Sequence, residues 1–399
     1  KTKQLHPIFQ SYDMNLQVAK RLQQTEEYYF SKKLREIDEM NRAGAKVINL
    51  GIGSPDLPPH PSVIEALTEN AHRPDTHAYQ GYKGIPALRQ AMASWYQRYY
   101  SVTLDPEKEV LPLIGSKEGI MHICMTYLQE GDEALVPNPG YPTYRSAVNL
   151  SGATVRDYDL EEKNGWLPDL DALAKTDLSK VKLMWVNYPH MPTGSRFNTT
   201  FAEKLIKFAN DHNILICHDN PYSFILNAQP QSLLQTPGAK DVVLELNSLS
   251  KSSNMAGWRV GMLVGKQEWI NEVLRFKSNM DSGMFQPLQM AAVKALELGP
   301  EWYAALNEIY TGRRQKVFEL LELLNCTFDR DQVGMFVWAK IPATAKDGFT
   351  VTDEILQKAQ VFITPGGIFG SNGNGYIRVS LCKDEKVFDE VLQRIRAIK

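Results

Sequence analysis

From about residue 109 the chain alternates short apolar runs with longer segments in which apolar residues recur at helical spacing. Six runs, all continuous rather than alternately polar and apolar, are "EVLPLIG", "EALVPN", "KLMWVNYP", "ILICHDN", "DVVLELNS" and "RVGMLVG". Continuous runs are typical of strands buried on both faces, and intervening helix-length segments are typical of crossover connections. The pattern therefore predicts an α/β fold with a mostly parallel sheet covered by helices on both sides.

The pattern changes near residue 300. A long helical segment, "EWYAALNEIYTGRRQKVFELLELLN", precedes the strand-like runs "MFVWAKI" and "GYIRVSLC" and a closing amphipathic helix. This order predicts a second, smaller α+β domain. The helical "KLREIDEMNRAG" and strand-like "KVINLG" stand before the sheet pattern, and we expect them to pack on that small domain. We therefore predict an N-terminal segment over 1–55, a large domain over 56–295 and a small domain over 296–399.

Composition narrows the class of partner. The 399 residues carry 44 basic and 46 acidic side chains, which are interspersed, so nothing indicates attraction to nucleic acid or to an anionic membrane. No apolar run approaches the roughly 20 residues that a membrane helix needs, and the first residues lack the apolar stretch of a secretory signal. The four cysteines are far apart, which argues against a disulfide framework or a zinc ribbon. We expect a cytoplasmic protein without a metal, acting on small molecules and associating with its own copies.

Polar or glycine-containing sequence follows five successive strand-like runs. These positions are Gly115–Lys117, Pro139–Tyr141, Asn187, Asp219 and Ser248–Lys251. In open parallel sheets, ligands bind in the crevice beyond the carboxyl ends of the strands. We therefore expect the functional site at this edge.

Two of these positions suggest a bound phosphate and a reactive amine. In "IGSKEGI" a strand meets a helix at Ser116, where free N–H groups could bind phosphate, although Ser116 could also be an ordinary N-cap. Lys251 stands among serines, with Arg259 eight positions later. Most lysines are solvated surface residues, but a partly desolvated lysine near another cation has a lowered pKa, which suits Schiff-base chemistry.

A Schiff-base lysine beside a phosphate site suggests pyridoxal phosphate. This cofactor also needs a carboxylate against its pyridine nitrogen. Asp219, in "CHDNPY", stands at a strand end where it could supply that carboxylate. The alternative is a helix cap or an Asx turn before Pro221.

With these residues the sequence resembles a known family, the class I and II aminotransferases, which are pyridoxal-phosphate enzymes of fold type I. Eight segments carry the resemblance in order over nearly the whole chain: "NLGIGSPD", "YQGYKGIPALR", "GSKEGI", "VPNPGYPTY", "NYPHMPTG", "HDNPYSFI", "SLSKSSNMAGWRVG" and "YIRVSL". The resemblance implies a seven-stranded sheet in the large domain and an active homodimer with shared sites.

The resemblance also implies a role for each matching residue. Lys251 would form the Schiff base and move a proton, Asp219 would keep the pyridine nitrogen protonated, and Tyr222 would hydrogen-bond the phenolic O3′. Tyr141 would stack on the ring. The phosphate would be held by Ser116, Lys117, Ser248, Ser250 and Arg259, together with Tyr79 of the neighbouring subunit. Arg378 would clamp the substrate carboxylate, beside Ile52 and Gly53.

One motif departs from the family, which usually has Asn-Pro-Thr-Gly where this chain has Met191 to Gly194. A thioether cannot donate the hydrogen bond that the asparagine would give to O3′. Asn187, which we count among the cofactor-binding residues, His190 or a water molecule could replace it, or O3′ could rest on Tyr222 alone.

The resemblance predicts a transaminase that moves an amino group from an amino acid to a 2-oxo acid by a ping-pong mechanism. Glutamate and 2-oxoglutarate would form one pair, and "KSNMDSGMFQPLQ" resembles the subgroup of diaminopimelate- and aspartate-type enzymes. A C–S β-lyase or a decarboxylase with the same cofactor is the nearest alternative. A regulatory module that senses the cofactor is another, but no basic helix-turn-helix segment precedes the fold.

Overall fold

In the computed structural model, which describes residues 16–23, 27 and 29–398, helices and strands alternate along the chain. The helices are α1 (Lys20–Gln23), α2 (Tyr29–Arg42), α3 (Pro61–Ala71), α4 (Pro86–Tyr100), α5 (Ser116–Tyr127), α6 (Pro142–Leu150), α7 (Leu170–Leu173), α8 (Thr199–His212), α9 (Leu249–Ser252), α10 (Gln267–Lys277), α11 (Gln286–Glu297), α12 (Pro300–Leu323), α13 (Gly348–Ala359) and α14 (Glu385–Ala397). The strands are β1 (Ile48–Asn49), β2 (Val110–Leu113), β3 (Glu133–Asn138), β4 (Thr154–Asp159), β5 (Val181–Asn187), β6 (Leu215–Asp219), β7 (Val243–Ser248), β8 (Gly261–Gly265), β9 (Phe336–Lys340), β10 (Val361–Phe362), β11 (Thr364–Pro365) and β12 (Tyr376–Ser380).

The large sheet has seven strands in the order β2-β8-β7-β6-β5-β3-β4. Strand β8 runs antiparallel to both of its neighbours, and the other pairings are parallel. This confirms the predicted α/β fold with a mostly parallel sheet. The carboxyl ends of β3, β5, β6 and β7 consequently lie at one edge.

Both faces of this sheet are buried, which explains why its strands read as continuous apolar runs. On β5, Met184 and Val186 pack with α4, α8 and α11, whereas Leu183 and Trp185 pack on the other face with α5, α6 and α10. The helices thus form a layer on each side of the sheet.

A second unit lies after α11. Strands β11, β12 and β9 form an antiparallel sheet, and α12, α13 and α14 contribute to the apolar core that covers it. Strand β1 pairs in parallel with β10, Ile48 opposite Val361 and Asn49 opposite Phe362. The segment before the large sheet is therefore joined by main-chain hydrogen bonds to the C-terminal part of the chain.

Several elements are absent from those that the apolar runs predict. Strand β4 lies at the edge of the large sheet with much of its surface exposed, so its sequence "TVRDYD" is polar. In the second unit, the 12-residue helix α13 and the two-residue strand β10 were also not predicted. Residues 1–15 of the predicted N-terminal segment lie outside the described residues. In the described part, no helix is both long and apolar enough to cross a membrane.

Candidate active site

A cavity of about 570 Å³ lies at the carboxyl ends of the central strands, facing the second unit. Its lining includes every candidate residue predicted from the sequence except Tyr79: Ile52, Gly53, Ser116, Lys117, Tyr141, Asn187, Asp219, Tyr222, Ser248, Ser250, Lys251, Arg259 and Arg378. Nine further residues line the cavity and add mostly apolar surface: Phe30, Ser31, Leu34, Tyr144, Met191, Pro221, Ala256, Phe336 and Phe369.

Lys251 lies in the short helix α9, immediately after β7. The helix begins where Ser248 Oγ accepts the N–H of Ser250 at 3.1 Å, and the same hydroxyl donates to the Val260 carbonyl at 3.3 Å. Lys251 Nζ donates to the carbonyl of Gly53 at 2.6 Å. Burial lowers the pKa of Lys251. A lysine amine with a lowered pKa is available as a nucleophile and as a base.

Asp219 ends β6 and is buried. Its Oδ2 accepts the hydroxyl of Tyr144 at 2.8 Å, and its Oδ1 has no hydrogen-bond partner in the described residues. Burial raises its pKa to about 6, against the opposing effect of the Tyr144 hydrogen bond. A buried carboxylate oxygen without a partner is costly, so it favours a ligand that donates a hydrogen bond.

The start of α5 and the segment before β8 form an anion-binding concavity. Gly115 has φ +84°, and an added Cβ would lie 2.1 Å from Arg259 Nη2. At Gly261 an added Cβ would lie 2.6 Å from the main-chain nitrogen of Ser116. The first N–H groups of a helix have no acceptor within the helix, so those of Ser116 and Lys117 suit phosphate.

Two cations surround this concavity. Arg259 Nη1 donates to the Ala256 carbonyl at 2.8 Å and lies 3.5 Å from Ser250 Oγ. Burial, with the nearby charge of Arg259, lowers the pKa of Lys117. The arrangement therefore combines main-chain donors with a guanidinium, as phosphate groups require.

Arg378, on β12, reaches the cavity from the second unit and is buried. Its Nη2 donates to the Gly51 carbonyl at 2.6 Å, and its Nη1 lies 3.1 Å from Met191 Sδ. The guanidinium carbon lies 3.8 Å from the ring centroid of Phe336 and 4.7 Å from that of Phe369. Aromatic faces and a carbonyl thus orient the guanidinium, which suits a planar carboxylate.

The three side chains that could replace the missing asparagine have different contacts in the structure. Asn187 Oδ1 accepts the N–H of Met191 at 2.8 Å and its Nδ2 donates to the Asp219 carbonyl at 2.6 Å, so this side chain connects two loops. His190 is absent from the lining of the cavity and contacts Thr193 Oγ1 at 2.7 Å. Tyr222 lines the cavity, and burial raises its pKa. A protonated Tyr222 is consequently a hydrogen-bond donor in the cavity.

Tyr79 lies apart from the cavity and is 93 % exposed. The segment around Gly283 packs closely on the main chain that follows Tyr79, because a Cβ on Gly283 would lie 2.7 Å from the Gln80 carbonyl oxygen. Both segments also expose Tyr82, Met280 and Phe285. These side chains form an exposed apolar patch on the described chain.

Two residues of α5 and one that follows α10 form a cluster that could hold a metal ion. One ligand atom each of Glu118, His122 and Asp281 lies within 4.8 Å of the others. Lys277 Nζ donates to Asp281 Oδ1 at 2.8 Å. Because a buried ammonium group already lies beside this cluster, we assign no metal to it.

The cavity accommodates the chemistry of pyridoxal phosphate. The unpartnered Asp219 Oδ1 matches a protonated pyridine nitrogen, and the concavity kept open by Gly115 and Gly261 matches the phosphate. Lys251 places a buried amine with a lowered pKa in the same cavity. The sequence did not identify Tyr144, Phe336 or Phe369, because no local motif links them to the residues that they contact.

Comparison of the sequence with known proteins identifies a family and similar enzymes that match most of the chain. The family profile of aminotransferase class I and II matches residues 45–395. The LL-diaminopimelate aminotransferase of Dehalococcoides mccartyi strain CBDB1 is 40 % identical over 386 residues, covering 96 % of this chain and 99 % of that protein. The enzyme of the same name from Moorella thermoacetica is 40 % identical over 388 residues, covering 96 % and 98 %.

Solved structures with the same fold extend this result. Substrate-bound BacF from Bacillus subtilis has a TM-score of 0.91 at 38 % identity, covering 96 % of this chain and 98 % of that one. A mutant aspartate aminotransferase of Thermus thermophilus has a TM-score of 0.88 at 24 % identity, covering 96 % and 100 %, and at that identity it supports the fold alone.

Proposed function

The chain belongs to the class I and II aminotransferases, and on that premise we propose that it transfers the amino group of LL-diaminopimelate to 2-oxoglutarate. It is a transaminase that depends on pyridoxal phosphate. The observation that carries the choice of donor is the 40 % identity, over 96 % of the chain, to relatives named LL-diaminopimelate aminotransferase. We also propose that 2-oxoglutarate accepts the amino group and that glutamate is its product.

Each candidate residue receives a role from its position in the cavity. When bound, pyridoxal phosphate supplies an electron sink for negative charge that develops on the substrate α-carbon. Asp219 Oδ1 would accept the hydrogen bond of the protonated pyridine nitrogen, and Tyr222 would donate to O3′. Tyr141 would lie against the ring. The phosphate would be bound by the N–H groups of Ser116 and Lys117 with Ser248, Ser250 and Arg259, while Asn187 would support the ring through the backbone of Asp219.

The substrate and the proton would be handled from opposite sides of the cavity. Arg378 would bind the α-carboxylate, with Ile52 and Gly53 leaving room beside it. Lys251 would first hold the cofactor and then move a proton to and from the substrate α-carbon. The lowered pKa of Lys251 supports this role, because an ammonium group could not accept that proton.

The proposed role of Lys251 is tested by borohydride reduction of the protein mixed with pyridoxal phosphate, followed by peptide mass spectrometry. We expect the added mass on the Lys251 peptide, and loss of multiple turnover in Lys251→Ala. Lys117→Ala is the matched control, since it removes another cavity lysine but should retain the mass on Lys251. Multiple-turnover transamination by Lys251→Ala would contradict the assignment.

A second donor class is favoured by the lining of the cavity. Phe30, Leu34, Ile52, Phe336 and Phe369 present a mainly apolar surface. Such a surface suits an amino acid with an uncharged, apolar side chain better than the charged distal end of diaminopimelate. Glutamate production from 2-oxoglutarate with LL-diaminopimelate, L-phenylalanine or L-aspartate as donor separates the candidates. A kcat/KM for L-phenylalanine above that for LL-diaminopimelate would replace the first donor with the second.

We also propose a homodimer, in which the exposed patch of Tyr79, Tyr82, Met280 and Phe285 lies at the interface and Tyr79 reaches the partner's phosphate. Exposed apolar patches of this kind mark association surfaces. Sedimentation should give twice the chain mass, and a Tyr82→Glu, Met280→Glu variant should be monomeric. A monomeric unmodified protein would contradict the dimer.

Domain boundaries and location complete the proposal. The pairing of β1 with β10 supports an N-terminal segment over 1–55 that packs on a small domain over 296–399, with the large domain over 56–295 between them. The four cysteines are buried and unpaired, which supports a reducing cytoplasm as the location. Limited proteolysis near residue 296 and cell fractionation test these two points.

A further inference from the structure

His218 and Glu245 form a buried pair beside the strand end that carries Asp219. Strands β6 and β7 set His218 opposite Glu245 and Asp219 opposite Leu246. Both side chains of the pair are 0 % exposed, and Nδ1 of His218 lies 2.7 Å from Oε2 of Glu245. Because consecutive side chains of a strand point to opposite faces, His218 lies on the far side of the strand from the cavity.

The partners of Glu245 indicate that it is ionised. Besides His218, four groups donate to its two oxygens: the Tyr96 hydroxyl (2.8 Å), the Ser232 hydroxyl (2.8 Å), the Leu233 N–H (3.1 Å) and the Asn220 amide (3.4 Å). An ionised carboxylate only accepts hydrogen bonds, whereas a neutral acid needs an acceptor for its own proton. Burial raises the pKa of both Tyr96 and Tyr100, the phenols that face Glu245 from α4, so both remain neutral.

Both ring nitrogens of His218 therefore face acceptors. Nδ1 faces the Glu245 carboxylate, and Nε2 lies 3.0 Å from the main-chain carbonyl of Tyr188. A neutral imidazole carries one N–H, so only the imidazolium satisfies both contacts. We infer that His218 is an imidazolium ion-paired with Glu245, and that this fixed cation is a positioning residue that keeps Asp219 ionised for the cofactor.

The surroundings of Asp219 explain why a fixed cation matters there. The titratable groups around it are Tyr144 of α6, Tyr141 just before that helix, Tyr222 after β6 and Lys251 of α9. The three phenols carry no positive charge, and Lys251 must be a neutral amine to act. The charge of His218 favours the ionised carboxylate, in opposition to burial. The inference rests on the role proposed above for Asp219.

The charge of His218 is tested in the cofactor-free protein. With ¹⁵N-labelled histidine, NMR spectra are recorded from pH 6 to 9, and the His218 signals are assigned by their loss in His218→Gln. We expect both ring nitrogens to carry a proton across this range. A His218 with one unprotonated nitrogen at pH 7 would overturn the inference. Because no cofactor is present, this result is independent of the proposed function. Where His218→Gln folds poorly, the His218 signals are assigned by elimination, from the loss of each of the other seven histidine signals in its own single variant.

The positioning role is tested by the affinity for pyridoxal phosphate, each value relative to the unmodified protein at the same pH. Loss of a neighbouring opposite charge raises a carboxyl pKa by at least about one unit. The pKa of Asp219 is about 6 in the unmodified protein, so a rise of about one unit lowers the ionised fraction of Asp219 about fivefold at pH 6 but hardly at pH 8.5. His218→Gln should therefore bind about fivefold more weakly at pH 6 than at pH 8.5. Tyr96→Phe, which removes a donor to Glu245 but no cation, should change affinity equally at both. An equal loss at both pH values in His218→Gln would show a merely structural role, and failure of the unmodified protein to bind would instead refute the proposed cofactor site.

Discussion

Gly115→Ala tests the proposed phosphate site without removing any side chain from the cavity. Gly115 precedes α5 with φ +84°, and its missing Cβ is the space in which Arg259 Nη2 lies, 2.1 Å from the ideal Cβ position. Alanine therefore adds a backbone cost and displaces the guanidinium. These two effects appear in different measurements, stability for the first and cofactor affinity for the second.

The magnitudes follow from the two contacts. Gly115 has φ +84° and ψ 150°, a combination that is essentially restricted to glycine and costs a residue with a Cβ about 1–3 kcal/mol, so the free energy of unfolding should fall by that amount. Arg259 is a flexible side chain and can move away from the new methyl group. The move sacrifices a hydrogen bond between charged groups, about 1.5–3 kcal/mol, which corresponds to roughly tenfold to a hundredfold weaker binding of pyridoxal phosphate.

Gly131→Ala is the matched control. Gly131 has φ +94°, and an added Cβ would meet nothing within 4 Å. Both variants should lose stability in urea titrations, but only Gly115→Ala should show the higher dissociation constant when the cofactor-free protein is titrated with pyridoxal phosphate. Unchanged affinity in Gly115→Ala, or an equal loss in both variants, would refute the placement of the phosphate beside Arg259.

Three further substitutions probe the rest of the cavity. Tyr144→Phe removes the hydrogen bond to Asp219 Oδ2, and since that bond lowers the carboxyl pKa, the acid limb of the kcat/KM profile should move to higher pH than in the unmodified enzyme; an unmoved limb would contradict this. Arg378→Lys should raise KM for the donor at least tenfold with a smaller change in kcat, because an ammonium cannot bind a carboxylate bidentately; an unchanged KM in steady-state assays would exclude the carboxylate role. Met191→Asn should retain the cofactor but shift the pH midpoint of its absorption band, and an identical titration would show that the departure from the family motif is without effect.

The large sheet was predictable where burial on both faces leaves continuous apolar runs, as in β5 and β6. Strand β4 was not, because an edge strand with an exposed face carries polar residues such as Arg156 and Asp157. The pairing of β1 with β10 joins positions 48 and 361. The strand-like run "KVINLG" predicted β1, but the two-residue strand β10 has no periodicity that a sequence pattern could reveal, so the pairing was not predictable.

In the cavity, residues that follow strand ends were predictable because parallel strands deliver them to one edge. Lys251 and Asp219 belong to this group, whereas Arg259 precedes β8 and was singled out because it follows Lys251 by eight positions. Tyr144 was not, since its hydroxyl reaches Asp219 from 75 positions away and a tyrosine within a helix reads as core. The aromatic rings around Arg378 were missed for the same reason, because Phe336 and Phe369 lie on segments that meet Arg378 only in the folded chain.

The structure gives the departure at Met191 a contact that the sequence did not indicate. Its motif marks it as a departure, and the expected consequence was a lost hydrogen bond to the cofactor O3′. In the fold its sulfur lies 3.1 Å from Arg378 Nη1, although the two residues are 187 positions apart. A thioether is a weak acceptor, so it holds that nitrogen less firmly than an amide oxygen would, while Gly51 holds Nη2 at 2.6 Å. The departure therefore bears on the proposed carboxylate-binding arginine as well as on the hydrogen bond proposed for the cofactor O3′. For this reason the donor KM of Met191→Asn should be measured beside its absorption titration.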